Sequence, residues 1–453
     1  MIQLHITLLS GQSTTLVADA AIQVEALRSQ TSEELQVGVV ALVTAAGQLL
    51  DGNGRATLAE AGLAHGDTLS ALVRDARIVT SRNSEAFALL RSDGSVVTWG
   101  LPLAGGDSSA VQDLLADVRE ICAADEAFVA ILGNGTLVTW GSHFGTHCGG
   151  SGGLSNVQKV AASKAAFAAL MWNGEVFAWG DPEYGGDSSS VQEQLHGVQN
   201  LQASSSAFAA ILDDGGVVTW GDADSGGDSS EVQTELLDVC QIQSCDDAFA
   251  AILGNGSVVS WGNPRFGGDS SSVRHKLVHV QSIQNSDGAF AALLKDGSVV
   301  TWGNPDYGAD SSRVQEELQD VQGLCASGGA FAALKQGRVV TWGSKRCGGD
   351  SREVQEQLQQ VRDVRATNAA FAAIREDGSV VTWGSADHGG ASSAVQDQLQ
   401  DVQDIQGSCA AFAALRADGR ASRLHWQTTL LEFNSTLNPG LSCVVDHPSA
   451  CKT

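Results

Sequence analysis

The sequence predicts two folds in one chain: a small α+β domain at the N-terminus and an all-β domain of tandem repeats after it. A Phe in the phrase Ala-Phe-Ala-Ala-Leu, or a close variant, recurs every 39 to 41 residues, and a Trp-Gly pair follows each of the first eight copies. Gly is frequent, with 52 residues against 6 Pro, and 17% of the residues are charged. This composition is typical of short buried strands joined by tight turns.

The periodicity sets the domain bounds. We place the N-terminal domain at 1–74, a linker at 75–76, the repeats at 77–420 and an atypical tail or cap at 421–453. Eight repeats of about 41 residues are complete, and a ninth keeps its Phe but loses its Trp. The recurring aromatic residues are expected to form the structural core of the repeats. They are Phe87, Phe128, Phe167, Phe208, Phe249, Phe290, Phe331 and Phe371, with Trp99, Trp140, Trp179, Trp220, Trp261, Trp302, Trp342 and Trp383.

Each repeat is predicted to contain three strands and a short helical turn. In residues 280–320, VQSIQNS alternates apolar and polar residues, whereas AFAALL and SVVTWG are apolar and flank Asp296-Gly297. Because Asp-Gly favours a two-residue type I′ turn with φ > 0 at both positions, these two segments predict a β-hairpin. The following VQEEL is expected to form one or two helical turns, with Asp310 or Ser311 at the N-cap.

An Asp precedes most of these helical turns and supports two interpretations. Carboxylates that recur in a repeat array can line up to bind calcium, but each repeat fixes a single acidic ligand. We favour the interpretation that the carboxylates cap the helical turns. The residues are Asp107, Asp187, Asp228, Asp269, Asp310 and Asp350.

The run AFAALLKDGSVVTWGNPDYG at 289–308 resembles the repeat signature of the regulator-of-chromosome-condensation family, whose units end in Trp-Gly-Asp/Asn-x-x-Tyr-Gly. This resemblance implies a β-propeller. The repeat is about ten residues shorter than the family's usual unit, so a β-solenoid-like stack or a ring of eight units stays open.

The N-terminal domain reads as two strands, a helix and further short strands, which is the order of a β-grasp. Its opening Met-Ile-Gln, the segment AGQLLDG at 46–52 and the segment TLAEAGL at 57–63 resemble ubiquitin. No Gly-Gly follows Arg74 and no Lys precedes Lys159, so we expect a docking module without conjugation. In such a module Leu8, Leu42 or Val43, and Ala71 would occupy ubiquitin's apolar recognition patch, with plain core packing as the alternative.

Charge and hydropathy argue against several classes of partner. The net charge is −26, and no run rich in Lys and Arg offers a surface for phosphate backbones, so direct nucleic-acid binding is not expected. No apolar stretch is long enough for a membrane span, and the first residues do not resemble a signal peptide. We therefore expect an intracellular protein, cytoplasmic or nuclear, without membrane contact.

Catalytic and cofactor motifs are not recognisable in the sequence. There is no nucleophile elbow and no phosphate-binding loop, so we expect no catalytic residue, no cofactor and no intrinsic activity. The only local cluster of metal-ligand types is His143, His147 and Cys148, which has no neighbouring carboxylate. We do not predict a metal site there.

The turn that follows each Trp-Gly pair varies between repeats, whereas the hairpins hardly change. The copies read LPLA, DPEY, DADS, NPRF, NPDY, SKRC and SADH, a pattern typical of binding loops on a rigid scaffold. Aromatic and Arg side chains dominate binding hot spots, although the aromatic residues could also simply close each turn over its neighbour. The candidate partner-binding residues of these turns are Tyr184, Arg265, Phe266, Tyr307 and Arg346.

These patterns predict a non-catalytic protein–protein interaction scaffold whose partners are other proteins, including ubiquitin-system receptors. Large HECT-type ubiquitin ligases also carry regulator-of-chromosome-condensation repeats, so the alternative is a subunit or fragment of such a ligase. Guanine nucleotide exchange on a small GTPase is a weaker alternative because it rests on fold analogy alone.

Overall fold

The computed structural model describes residues 1–8, 12–35, 39–50, 56–73, 76–81, 83–142, 154–416 and 421–424. The predictions for His143, His147 and Cys148, and for the tail beyond residue 424, fall outside these residues. Within them, no helix is both long and apolar enough to cross a membrane.

The N-terminal residues form a four-stranded sheet with one helix. Its elements are β1 (Ile2–Leu8), β2 (Ser13–Ala18), α1 (Val24–Leu35), β3 (Val39–Thr44) and β4 (Thr68–Val73). The strand order is β2-β1-β4-β3, with β1 antiparallel to β2 and parallel to β4. The short strand predicted around Leu49 is reduced to an isolated bridge with Val43. The core between sheet and helix is built from N-terminal residues alone.

The repeats form nine three-stranded antiparallel sheets in the part of the chain that the structure describes. The strands, grouped by sheet, are β5 (Arg77–Val79), β6 (Ala86–Leu90), β7 (Val96–Gly100); β8 (Val118–Ala123), β9 (Ala127–Leu132), β10 (Leu137–Gly141); β11 (Val157–Ala162), β12 (Ala166–Met171), β13 (Val176–Gly180); β14 (Val198–Ala203), β15 (Ala207–Leu212), β16 (Val217–Gly221); β17 (Val239–Ser244), β18 (Ala248–Leu253), β19 (Val258–Gly262); β20 (Val280–Asn285), β21 (Ala289–Leu294), β22 (Val299–Gly303); β23 (Gly323–Ala326), β24 (Ala330–Lys335), β25 (Arg338–Gly343); β26 (Val361–Ala366), β27 (Ala370–Arg375), β28 (Val380–Gly384); and β29 (Val402–Gly407), β30 (Phe412–Arg416), β31 (Ala421–Leu424).

The ninth sheet has all three strands, although the ninth repeat lacks the Trp-Gly signature. Strand β31 pairs with β30 from Phe412 opposite Leu424 to Leu415 opposite Ala421. The sequence analysis placed residues 421–424 in the tail because the Trp-Gly signature is missing there. Strand pairing uses backbone groups, so it persists where the signature side chains do not.

The hairpin turns differ from the predicted type. In the sixth repeat Leu294 N–H donates to Ser298 O and Gly297 N–H donates to Leu294 O, both at 2.9 Å. Gly297 has φ +81°, whereas Asp296 is not among the residues with positive φ. The turn is thus longer than the two-residue type I′ and places only its Gly in the left-handed region. The Asp296 carboxylate instead accepts the Ser298 N–H at 2.9 Å.

Cores lie between adjacent sheets, because the middle strand of each repeat is covered on both faces. Phe249 and Ala251 on one face of β18 pack with Ala207 of the preceding repeat. Ala248 on the other face packs with Phe290 of the following repeat. The small Ala side chains let neighbouring sheets approach closely, while Phe and Trp fill the space between them.

The predicted helical turns are present as 3₁₀ helices, tighter than expected, in four repeats, whereas the segments of the fourth, sixth and seventh repeats, including VQEEL at 314–318, form turns without a helix. The segments Ser109–Leu114, Gln192–Gln194, Arg274–Lys276 and Ser393–Gln398 are 3₁₀ helices. The recurring Asp residues bind the backbone at the start of these segments: Asp269 Oδ1 accepts the Ser271 N–H at 2.8 Å, and Asp310 Oδ1 accepts the Ser312 N–H at 3.0 Å. The carboxylates thus act as turn-stabilising acceptors.

Candidate functional site

The repeat domain has two ends that carry different chemistry. We call the end with the hairpin turns the hairpin face, and the end with the turns after the Trp-Gly pairs the turn face. On the turn face, Asn304 N–H donates to Gly288 O and Asp181 N–H donates to Ala165 O, so each variable turn lies beside the start of a middle strand. The candidate residues of the variable turns therefore share one end of the domain.

Each variable turn contains a 3₁₀ helix that the sequence analysis did not predict. In the sixth repeat it spans Pro305–Tyr307; the Asn304 side chain accepts the Asp306 N–H at 3.0 Å, and Gly308 ends the helix with φ +98°. A Cβ on Gly308 would lie 2.8 Å from Cδ2 of Phe331 in the next repeat. The turn is therefore shaped both by its own cap and by the neighbouring repeat.

A Trp of the following repeat holds six of the seven described turns in place; the exception is the turn of the eighth repeat, because the ninth repeat has no Trp-Gly pair. Trp302 Nε1–H donates to Gly267 O at 3.0 Å, and Trp342 Nε1–H donates to Gly308 O at 3.0 Å. The same bond joins Trp140 to Gly105, Trp220 to Gly185, Trp261 to Gly226 and Trp383 to Gly348. The Trp column, predicted as core, thus also positions the variable turns.

A recurring buried hydroxyl or thiol donates a hydrogen bond to a backbone carbonyl of the turn. Ser286 Oγ donates to Tyr307 O at 2.8 Å, and Thr367 Oγ1 donates to His388 O at 2.9 Å. Cys245 Sγ occupies the same position and donates to Phe266 O at 3.2 Å. These contacts leave the side chains of the turns free to differ while the backbone stays fixed.

Backbone hydrogen bonds link neighbouring repeats at the turn face. Lys164, Ser205, Asp246, Asp287 and Gly328 each donate their N–H to the equivalent carbonyl of the next repeat, over 2.8 to 3.1 Å. The series continues to the ninth repeat through Asn368 N–H to Cys409 O. Its last link is Cys409 N–H to Ser84 O at 3.0 Å, which joins the ninth repeat to the first.

The core between the ninth and first repeats supports the same neighbour relation. Phe87, Leu89 and Trp99 of the first repeat pack with Ala413 and Leu415 of the ninth.

A cavity of about 250 Å³ is lined by residues that connect the first and middle strands of the first six repeats. Asp125, Lys164, Asp246 and Asp287 contribute charged groups to its lining, together with several Ser residues. Burial raises the pKa of the Asp125 carboxyl, an effect opposed by the Lys164 charge and by hydrogen bonds from neighbouring side chains. Over the residues described, no three His, Cys, Asp or Glu side chains are arranged to hold a metal ion.

The structure separates the five turn candidates into two groups. Arg265 and Arg346 are exposed, whereas Tyr184, Phe266 and Tyr307 are half-buried and pack against the cores between repeats. The Phe266 and Tyr307 rings lie 5.9 Å apart across adjacent repeats. The aromatic residues therefore close the turns, and the Arg residues extend their side chains into solvent.

The candidate partner-binding residues of the N-terminal domain also fall into two groups, buried and partly exposed. Leu8 is 7% exposed, and Leu42 and Ala71 are each 1% exposed, so these three belong to the core rather than to a surface patch. Val43 is half-buried on the outer face of the sheet, where its partner in β4 is Ser70. Leu72, which the sequence analysis missed, lies on the same face and is 37% exposed. The alternating pattern of β4 could have identified Leu72, because residues two apart in a strand lie on the same face and Leu72 is two residues from Ser70.

No known family model matches this chain, and no curated protein is significantly similar to it. Some solved structures show a limited similarity to it. The ectodomain of the receptor kinase CR4 from Physcomitrella patens is 16% identical, with a TM-score of 0.38, and the match covers 60% of this chain and 73% of that one.

Two further structures give similar values. Yeast RCC1 (Prp20), solved bound to Kap60, is 15% identical with a TM-score of 0.37, over 60% of this chain and 81% of its own. Human WBSCR16 is 15% identical with a TM-score of 0.36, over 76% of this chain and 88% of its own. With TM-scores this low, these similarities carry no conclusion about function.

Proposed function

We propose that this chain is a protein–protein interaction scaffold of regulator-of-chromosome-condensation type, whose nine repeats close into a ring and whose turn face binds a protein partner. The observation that carries the proposal is the contrast between fixed backbone and variable side chains on one face. Each described turn has its own side-chain chemistry, yet all seven end at a Gly of positive φ. A Trp contact holds the backbone of six of them, and a hydroxyl or thiol contact also holds six. Binding residues on loops positioned by a rigid frame are the usual arrangement in interaction domains.

Arg265 and Arg346 are the residues most suited to contact a partner. Both are exposed on the turn face, and neither belongs to a core between repeats. Arg is enriched in binding hot spots because its guanidinium offers several donors and a flat surface for stacking. Tyr184, Phe266 and Tyr307 contribute by shaping the turns.

The experiment compares capture by the intact chain and by matched Arg variants. Proteins retained from a native lysate by the wild-type chain would be identified, and the capture repeated with Arg265→Ala and Arg346→Ala. Arg338→Ala is the control, because Arg338 is also exposed but lies in a hairpin on the opposite face. The proposal expects one protein that both turn-face variants lose and that the control retains. Equal retention by all variants, at unchanged melting temperature, contradicts it.

We also propose that the N-terminal domain is a ubiquitin-like docking module. The mixed sheet with parallel β1 and β4, the single helix and the quoted sequence segments support this assignment. Val43 and Leu72 supply apolar surface on the outer face of the sheet. We expect a ubiquitin-associated domain, used as the probe, to bind the intact chain, and Leu72→Ser to weaken that binding. Val17→Ser is the control, since Val17 is 58% exposed on β2 at the other edge of the same sheet.

A further inference from the structure

One segment of the repeat domain departs from the pattern of the others in both charge and bonding. We call the six residues that end at the positive-φ residue between two repeats the closing segment. Six described closing segments begin with Gln and are neutral or acidic in sequence. They begin at Gln112, Gln192, Gln233, Gln315, Gln355 and Gln396. The closing segment of the fifth repeat instead reads Arg-His-Lys-Leu-Val-His over residues 274–279.

The Gln that the fifth repeat lacks has a structural role elsewhere. Gln315 Nε2 donates to Val299 O at 3.1 Å, and Ser311 Oγ donates to Gln315 Oε1 at 2.9 Å. The same pair of bonds recurs at the other five Gln residues. Arg274 instead forms an ion pair with Glu235 of the preceding closing segment. With Arg instead of Gln at position 274, the fifth repeat gives up these two hydrogen bonds. Folding stability therefore does not account for the Arg at this position.

The departing residues are exposed on the hairpin face. Lys295 N–H donates to His279 O at 3.0 Å, which places a further cation beside the segment. The ion pair with Glu235 brings the preceding closing segment alongside, and with it Leu237. Leu237 is 64% exposed and Val278 is 49% exposed, both at the position just before the residue of positive φ. We call this surface the basic patch; it consists of Arg274, His275, Lys276, His279 and Lys295 with Leu237 and Val278.

We infer that the basic patch binds a short acidic peptide segment that carries Leu-type side chains, presented by a partner protein. Cations around two exposed apolar side chains complement a peptide in which carboxylates flank aliphatic residues. The inference does not depend on the turn face, which lies at the opposite end of the repeat domain.

The size of the patch argues for a peptide rather than an extended polyanion. Exposed charges are screened beyond about 8 Å at physiological salt, so the local cations decide binding despite the net charge of −26. A ligand longer than the patch would meet the carboxylates of the hairpin face that border it, including Asp238, Asp296 and Asp320. A nucleic acid carries phosphate along its whole length and would be repelled there.

The test uses the intact chain and fluorescence anisotropy. The probe is a short fluorescein-labelled peptide of repeated Glu-Glu-Leu, compared with Gln-Gln-Leu and Lys-Lys-Leu peptides of equal length and with a single-stranded DNA oligonucleotide. The variant Arg274→Gln/His275→Glu/Lys276→Glu installs the sequence that the sixth repeat carries at 315–317. We expect this variant to weaken binding of the Glu-Glu-Leu peptide by at least about tenfold, because close opposite charges dominate such contacts. Its melting temperature should stay the same or rise, because the amide introduced at position 274 can form the two bonds that the other repeats keep.

Two further variants separate the components of the patch from general charge. Leu237→Gln/Val278→Gln should weaken binding of the same peptide while leaving Gln-Gln-Leu binding negligible. Arg338→Glu/Lys345→Glu changes two exposed cations outside the patch and should have no effect. Absence of peptide binding by the wild-type chain, equal weakening by this control variant, or tighter binding of the oligonucleotide than of the Glu-Glu-Leu peptide would overturn the inference.

Discussion

The indole Nε1 of Trp302 lies 3.0 Å from the carbonyl oxygen of Gly267 in the preceding repeat. Phe290 packs against the same Gly. Phe290 also pairs with Trp302 across the hairpin, and the two stacked rings have their centroids 5.2 Å apart. Phe, Trp and Gly therefore form one unit that spans two repeats. This unit explains why the three residues recur together.

Replacing Gly267 by Ala should destabilise the repeat domain by about 2–4 kcal/mol. Gly267 has φ +98°, a conformation that costs an L-residue energy, and the added Cβ would lie 2.7 Å from Cδ2 of Phe290. Chemical denaturation of the intact chain measures the change. Gly323→Ala is the matched control, since a Cβ there meets nothing within 4 Å, and it should change stability by less than about 0.5 kcal/mol. Similar losses for both variants would contradict the role assigned to Gly267.

Replacing Phe249 by Ala should cost roughly 3–5 kcal/mol, because it leaves a cavity that two repeats only partly fill. Phe249 is completely buried and packs with residues of the preceding repeat. Phe177→Ala removes the same side chain from a position that is 39% exposed and should cost less than half as much. Urea denaturation of both variants provides the comparison. A loss at Phe249 below that at Phe177 would show that the Phe column is not the core.

The sequence predicted the repeat architecture well because its signals are local and repeated. Asp296-Gly297 between two apolar runs is enough to place a hairpin, and the regular recurrence of Phe and Trp is enough to predict that both columns are core. The bonds between repeats could not be predicted, since Trp302 and Gly267 are 35 residues apart. For Leu8 both a surface patch and plain core packing stay open in the sequence, because a strand's alternation does not itself say which face is covered.

Residues 1–74 are expected to fold without the repeats. Every buried member of the N-terminal core comes from residues 4–71, so the fragment contains the whole of that core. Arg28 contacts the repeats: its Nη2 donates to Asp117 Oδ2 at 2.8 Å, while Arg28 also pairs with Glu25. The isolated fragment should show a cooperative thermal transition and dispersed amide resonances. A fragment without either property would show that the domain depends on its contact with the repeats.

Asp269 should stabilise the protein at neutral pH and not in strong acid. Hydrogen bonds from the Ser271 backbone and hydroxyl lower the pKa of the Asp269 carboxyl. Since the folded pKa lies below the unfolded value of about 3.9, its stabilisation is present above that value and is lost as pH falls through the folded pKa. Asp269→Asn should therefore lower the urea midpoint at pH 7, with the difference vanishing towards about pH 2. A difference that is independent of pH would exclude this origin.

Cys240 and Cys245 should differ strongly in reactivity, although one lies in strand β17 and the other directly follows it. Cys240 is exposed, whereas Cys245 is 4% exposed and burial raises the pKa of its thiol to about 12. The thiolate is the reactive form, so a raised pKa lowers its population at any pH below that value. Iodoacetamide at pH 8 should modify Cys240 at least about 100-fold faster than Cys245, because lost access adds to the lower thiolate population. Peptide mass spectrometry over a time course measures both rates.

The control for this comparison is the same reaction in concentrated urea, where burial is removed and the two rates should converge. In the folded protein, the rate at Cys245 should keep increasing as the pH rises above 9, since the fraction of thiolate still grows there. Rapid modification of Cys245 in the native chain would mean that its bond to Phe266 O, and with it the turn of the fifth repeat, opens frequently. In that case the turn face would lack the rigid backbone on which the proposed binding function depends.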